Sequence, residues 1–245
     1  MTAFAGAKLE ILANPETLAC RVADWLLALA VARQGVFSVA LSGGSTPRLL
    51  YEQLASERCR DAFPWARTHW FWGDERFVPH DDPLSNYRMV REAMLSRAPV
   101  PDANIHAILT KAADPAAAAN AYEHQLKLAY GSERLDPARP FFDVVLLGLG
   151  RDGHMASLFP GSDMLEERKR WVAAVSGPSC KPRITLTYPV LESTRHAAFL
   201  VAGEEKRQIF SRLRAGESEL PAARFRPAGT LSLFADAAAA EGRLR

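Results

Sequence analysis

The segment Val144-Val145-Leu146-Leu147-Gly148-Leu149-Gly150-Arg151-Asp152-Gly153-His154 sets a carboxylate and an imidazole two positions apart, directly after an apolar run that halts at a glycine turn. Histidine is the side chain whose ordinary pKa lies nearest neutrality, so it can take up a proton and return it. A nearby acid can fix its tautomer and orientation. Such a pair suits general acid–base catalysis. The apolar run reads as a buried strand, and open α/β sheets bind ligands at the carboxyl ends of their strands. Gly148 to Gly153 also matches GxGxxG by letter. A dinucleotide site needs a full helix next and an acid about 20 residues further on. Pro160 clips the helix, and Glu166 and Glu167 come too early.

Four further segments have chemistry to offer, the first two at the same edge. Ser42-Gly43-Gly44-Ser45-Thr46-Pro47 follows a short apolar run and precedes a helix. The first N–H groups of a helix have no internal acceptor and face positive dipole, so this turn suits an anion. Its alternative is a tight turn with Thr46 as helix N-cap. It lacks the Gly-Lys-Ser/Thr of a nucleotide P-loop. Asp74-Glu75-Arg76 follows a Trp-rich run. Alone it reads as a solvated turn with a local ion pair, but at this edge Arg76 can grip a phosphate as a planar fork. Arg183 starts a strand, and Lys206 lies in the first turn of a helix, where it opposes the helix dipole and a bound anion would relieve the conflict. No GxSxG elbow, HExxH or other His/Cys cluster is present. His69, His80, His106, His124 and His196 are scattered.

Helices are expected over residues 15–34, 47–57, 84–95, 115–130 and 204–213, each with proline, polar or glycine boundary signals nearby. Strands are expected over 36–41, 69–72, 141–148, 171–175, 183–187, 197–202 and 230–234. Residues 216–229, with Pro221 and Pro227, read as a loop, and Asp236 to Glu241 is Ala-rich. Strands alternating with helices argue for α/β architecture with a doubly wound, mostly parallel sheet flanked by helices on both faces. No repeat or low-complexity linker interrupts the chain, so residues 1–245 are expected to form one domain.

The bulk composition narrows the partners. The 245 residues hold 30 basic and 28 acidic side chains, a net charge of +2, and 48% are hydrophobic. This balance gives no support for a nucleic-acid or acidic partner. The apolar run Trp25 to Ala32 is too short to span a membrane and poorly placed for a secretory signal. Cys20, Cys59 and Cys180 are far apart and read as buried free thiols of a reducing compartment. The expected localisation is cytoplasmic.

Taken in order, the segments resemble the 6-phosphogluconolactonase family over nearly the whole chain. They are Ser42 to Pro47, Asp74-Glu75-Arg76-Phe77-Val78-Pro79 with Ser85-Asn86-Tyr87, Gly148 to Gly161, Arg183-Ile184-Thr185 and Gly203-Glu204-Glu205-Lys206. Met155 stands where the family often has Thr. The resemblance implies a modified Rossmann-like fold shared with glucosamine-6-phosphate deaminases and ribose-5-phosphate isomerases. It also implies hydrolysis of 6-phosphoglucono-1,5-lactone to 6-phosphogluconate, with no metal and no organic cofactor. On this basis His154 is the expected base, oriented by Asp152 or Asp74. Arg76, Arg183 and Lys206 are expected to bind the phosphate, and Ser42, Gly43, Gly44 and Ser45 to face the sugar or its oxyanion. The expected partner is the sugar-phosphate lactone alone, with no nucleic acid and no membrane, and the chain a monomer or weak homodimer. The competing resemblance is to the deaminases, which carry a Glu where this chain has Phe159 and an aromatic residue where it has Arg76. A sugar-phosphate sensor on the same fold is the third possibility; such proteins usually add a DNA-binding module, for which 245 residues leave no room.

Overall fold

Phe37–Leu41 and Phe142–Leu147 are buried at every position, as expected of parallel strands covered on both faces. The computed structural model describes residues 6–176 and 181–240. Its strands are β1 (Lys8–Leu12), β2 (Phe37–Leu41), β3 (Thr68–Trp72), β4 (Asp74–Arg76), β5 (Ile105–His106), β6 (Phe142–Leu147), β7 (Val172–Ser176), β8 (Pro182–Leu186), β9 (Thr194–Val201) and β10 (Thr230–Asp236). Seven of them form a sheet in the order β1-β10-β9-β6-β2-β3-β5, parallel at every pairing. The helices are α1 (Pro15–Ala32), α2 (Ser45–Leu54), α3 (Glu57–Arg60), α4 (Asn86–Val90), α5 (Pro115–Tyr130), α6 (Tyr188–Glu192), α7 (Arg207–Ala215) and α8 (Pro221–Arg224).

Local signals set the helix ends. Asn14 and Thr17 cap each other's backbone N–H groups at the start of α1, with Pro15 in the first turn. Asp114 caps α5 through the Ala117 N–H at 2.8 Å, and left-handed Gly131 closes it. The helix expected over 84–95 begins instead at Asn86, capped by Ser85, and turns into a π-helical segment over Arg91–Leu95.

Several expectations need correction. The strands expected at 171–175 and 183–187 leave the parallel sheet. They pair antiparallel as β7 and β8, and β8 pairs with β4, giving a three-stranded sheet β4-β8-β7. Helix α5 packs against β7 and β8. The sequence reading missed the edge strand β1, and the expected loop at 216–229 contains α8. Cys59 is buried and Cys20 half-buried, both free. Cys180 and Glu241 lie outside the described residues. No described helix is long and apolar enough to cross a membrane.

Candidate functional site

The loops after β2 and β6 meet at the carboxyl edge of the parallel sheet, where the Gly148 N–H donates to Ser42 Oγ at 3.2 Å. Helix α2 starts at Ser45, two residues before the expected Pro47. Its N-cap is Gly44 rather than Thr46, and no side chain caps it. The first backbone N–H to bond within the helix is that of Arg48, to the Gly44 carbonyl. The start of α2 therefore presents open donors to the cleft. Tyr51, buried behind it, clamps Ser42 by donating to its carbonyl and accepting from its N–H. A Cβ at Gly43 would lie 2.1 Å from Asn86 Oδ1, so only glycine lets Asn86 pack there.

His154 follows the tight turn after β6. Its Nδ1 lies 2.6 Å from Asp152 Oδ1, which also accepts the His154 backbone N–H at 3.1 Å. Burial pushes the Asp152 carboxyl up, but the His154 N–H and imidazole outweigh it and hold the group below the usual carboxylate range. With Nδ1 turned to the carboxylate, Nε2 is the nitrogen left for chemistry. The side chain is 29% exposed, so a water molecule can reach it. Phe159 packs against the ring at 4.7 Å between centroids.

Asp74-Glu75-Arg76 is strand β4, not a solvated turn. Asp74 and Arg76 line the cleft, while Glu75 is fully buried on the other side. The Glu75 carboxylate accepts from the N–H groups of Arg76, Asn86 and Tyr87 and from Ser85 Oγ, all at 2.7–3.0 Å. Burial pushes its carboxyl up, against the pull of those donors. Asp74 makes no hydrogen bond to His154 among the described residues; the carboxylate bonded to the imidazole is Asp152. Asp74 accepts from Ser157 Oγ at 2.6 Å and lies 3.8 Å from Arg183 Nη1. In the β4–β8 register Arg76 stands opposite Arg183. Both Nε atoms are buried without a hydrogen-bond partner among the described residues. Like charges set opposite on paired strands are destabilising unless something neutralises them.

Lys206 ends a 3₁₀ turn, Glu204–Lys206, and is the N-cap residue of α7 rather than part of its first turn. Its Nζ donates to the Leu149 carbonyl at 2.6 Å. Burial pulls its pKa down, against the opposing charge of Glu205. All ten predicted residues therefore line one cleft of about 520 Å³: Ser42, Gly43, Gly44, Ser45, Asp74, Arg76, Asp152, His154, Arg183 and Lys206. Sequence reasoning missed Asn86 and Arg151 on the same walls, and Ser157 beneath them. Asn86 and Ser157 lie in the matched segments, but nothing in their spacing signals a contact with Asp74. Among the described residues no three His, Cys, Asp or Glu side chains are grouped as a metal site needs.

The fold and cleft define a Rossmann-like α/β protein whose cleft sets Arg76, Arg183 and Lys206 on the same walls as a histidine. A family model described as glucosamine-6-phosphate isomerases/6-phosphogluconolactonase matches residues 13–233. The chain belongs to that family. It is 40% identical over 237 residues to the 6-phosphogluconolactonase of Nostoc sp., covering 94% of this chain and 95% of that one. It is 43% identical over 215 residues to the Synechocystis sp. 6-phosphogluconolactonase, covering 86% and 87%. The solved 6-phosphogluconolactonase of Trypanosoma cruzi superposes with a TM-score of 0.84 at 30% identity, covering 98% of this chain and 97% of that one.

Proposed function

We propose that this chain hydrolyses 6-phosphoglucono-1,5-lactone to 6-phosphogluconate, the second step of the oxidative pentose phosphate pathway. The observation that supports it most is the opposed pair Arg76 and Arg183, with unpartnered buried Nε atoms, in the same cleft as the His154–Asp152 pair. The arginines, with Lys206, bind the phosphate; each charge-assisted contact contributes about 1.5–3 kcal/mol. The lactone carbonyl then lies toward the open N–H groups at the start of α2. His154 Nε2 takes a proton from water as its oxygen bonds to C1. The carbonyl electrons move onto the oxyanion, held by those N–H groups. Collapse breaks the bond from C1 to the ring oxygen, which receives the proton from His154. General base catalysis of this kind contributes about 10²–10⁴-fold. Free Cys20 and Cys59 suit a cytoplasmic, reducing setting.

The residue packed on His154 also separates this reaction from aminosugar deamination. Phe159 cannot exchange a proton, so the position against the imidazole where the deaminases carry a Glu supplies no acid for ring opening. A coupled assay with freshly generated phosphogluconolactone tests the proposal. The wild type should accelerate ring opening over the spontaneous rate and release no ammonia from glucosamine 6-phosphate. Ammonia release, or a rate no faster than buffer, would refute it.

A further inference from the structure

Ala156 is the one non-glycine residue with positive φ (49°) among the described residues. Left-handed backbone is unfavourable for alanine and persists only where the surroundings hold it. The turn drops the next residue, Ser157, into full burial. There its N–H donates to Thr185 Oγ1 on β8 at 3.1 Å, and its hydroxyl donates to Asp74 Oδ2 on β4 at 2.6 Å. The same hydroxyl oxygen accepts from Arg183 Nη1 at 3.5 Å. One buried serine thus touches both strands that carry the opposed arginines.

The polar contacts of Arg183 among the described residues fall on Nη1, from Ser157 Oγ and Asp74 Oδ2. Phe159 covers its guanidinium at 5.4 Å. Nε is buried and unpartnered. A guanidinium grips a phosphate through two parallel N–H groups, so its orientation decides whether both can engage. Holding Nη1 from behind restricts the rotations that would turn that pair away from the cleft Arg183 lines.

We infer that Ser157 is a positioning residue for the phosphate: held in place by the left-handed turn at Ala156, it acts through Asp74 and Nη1 to set the binding edge of Arg183. It touches no substrate atom. This rests on the assignment of Arg183 to the substrate phosphate.

Steady-state kinetics on 6-phosphogluconolactone and on unphosphorylated glucono-1,5-lactone, for the wild type, Ser157→Ala, Arg183→Ala and the double variant, test it. Ser157→Ala should raise KM for the phosphorylated lactone about tenfold with kcat within about twofold, the scale of one hydrogen bond to a charged group. Its kcat/KM on glucono-1,5-lactone should stay within about twofold. In the Arg183→Ala background the serine change should add nothing further, because its target is gone. Should Ser157→Ala fold poorly, Ser157→Cys keeps a polar side chain there with a weaker donor and should show a smaller KM rise in the same direction, again on the phosphorylated lactone alone. Equal losses on both lactones, or additive losses in the double variant, would make Ser157 merely structural. A wild type with no preference for the phosphorylated lactone overturns the phosphate assignment. A wild-type preference that both serine variants leave intact overturns the positioning role alone.

Discussion

Arg76 and Arg183 face each other across the β4–β8 pair, and each keeps a buried Nε without a partner. An anion placed between them removes a repulsion as well as forming new bonds, so the folded state should gain stability from phosphate itself. Millimolar inorganic phosphate should raise the melting temperature, by about 2–4 °C for each kcal/mol of binding in a chain of this size. Arg183→Ala should lose most of that rise relative to its own phosphate-free melt. A shift equal in both proteins would place the anion elsewhere.

His154→Ala should lower kcat by about 10²–10⁴-fold and change KM little. Asp152→Asn keeps the ring but loses the charge that orients it, and should cost about 10–100-fold. Asp74→Asn should instead act mainly on KM, because Asp74 contacts Ser157 and Arg183 rather than the imidazole. Stopped-flow measurement of lactone opening separates the three, and near-wild-type kcat for His154→Ala would remove it as the base.

Gly150 is where a single methyl group should reach the chemistry. A Cβ there would lie 2.1 Å from His154 Nδ1, so Gly150→Ala must push the ring off Asp152. The cleft side of the ring is open, so it can swing without unfolding the chain. The expected result is a kcat loss comparable to Asp152→Asn with an unchanged circular dichroism spectrum. Full activity in Gly150→Ala would show that the Asp152 contact is dispensable.

At the edge of the parallel sheet His69 Nδ1 and His106 Nε2 lie 2.9 Å apart. Burial pulls both below the ordinary histidine value, His106 to about 4, helped by the charge of His69. Between about pH 6.5 and 4 the unfolded chain holds a proton at His106 that the folded chain does not, and His69 shifts in the same direction. The His106 contribution to stability is therefore complete above about pH 6.5 and is lost as the pH falls toward 4. Urea midpoints should decline over that window, and less steeply in His106→Gln. Identical slopes would assign the acid sensitivity to other groups.

The sequence made legible much of what is decided within a few residues, though not the Gly44 cap of α2, expected at Thr46. The glycine turns after β2 and β6 and the helix starting at Pro115 depend on near neighbours, whereas the carboxylate that bonds His154 stayed open between Asp152 and Asp74. What was hidden depends on partners far along the chain. An apolar run such as Val172 to Val175 announces a strand but not the sheet it joins. Glu75 looked solvated because its four donors include three from residues 85–87, which enter its surroundings only once α4 is in place. Ser157 gave no signal at all, since its hydroxyl reaches across 83 positions to Asp74.

His154 grows from the loop after β6 of the seven-stranded sheet, whereas Arg76 and Arg183 belong to the three-stranded one. The imidazole and these two arginines thus stand on separate platforms, while the third cleft cation, Lys206, follows β9 of the larger sheet. On the proposed function, a ligand whose phosphate meets the arginines and whose reactive carbon meets His154 must bridge the two sheets, so their spacing would set the length of sugar that fits.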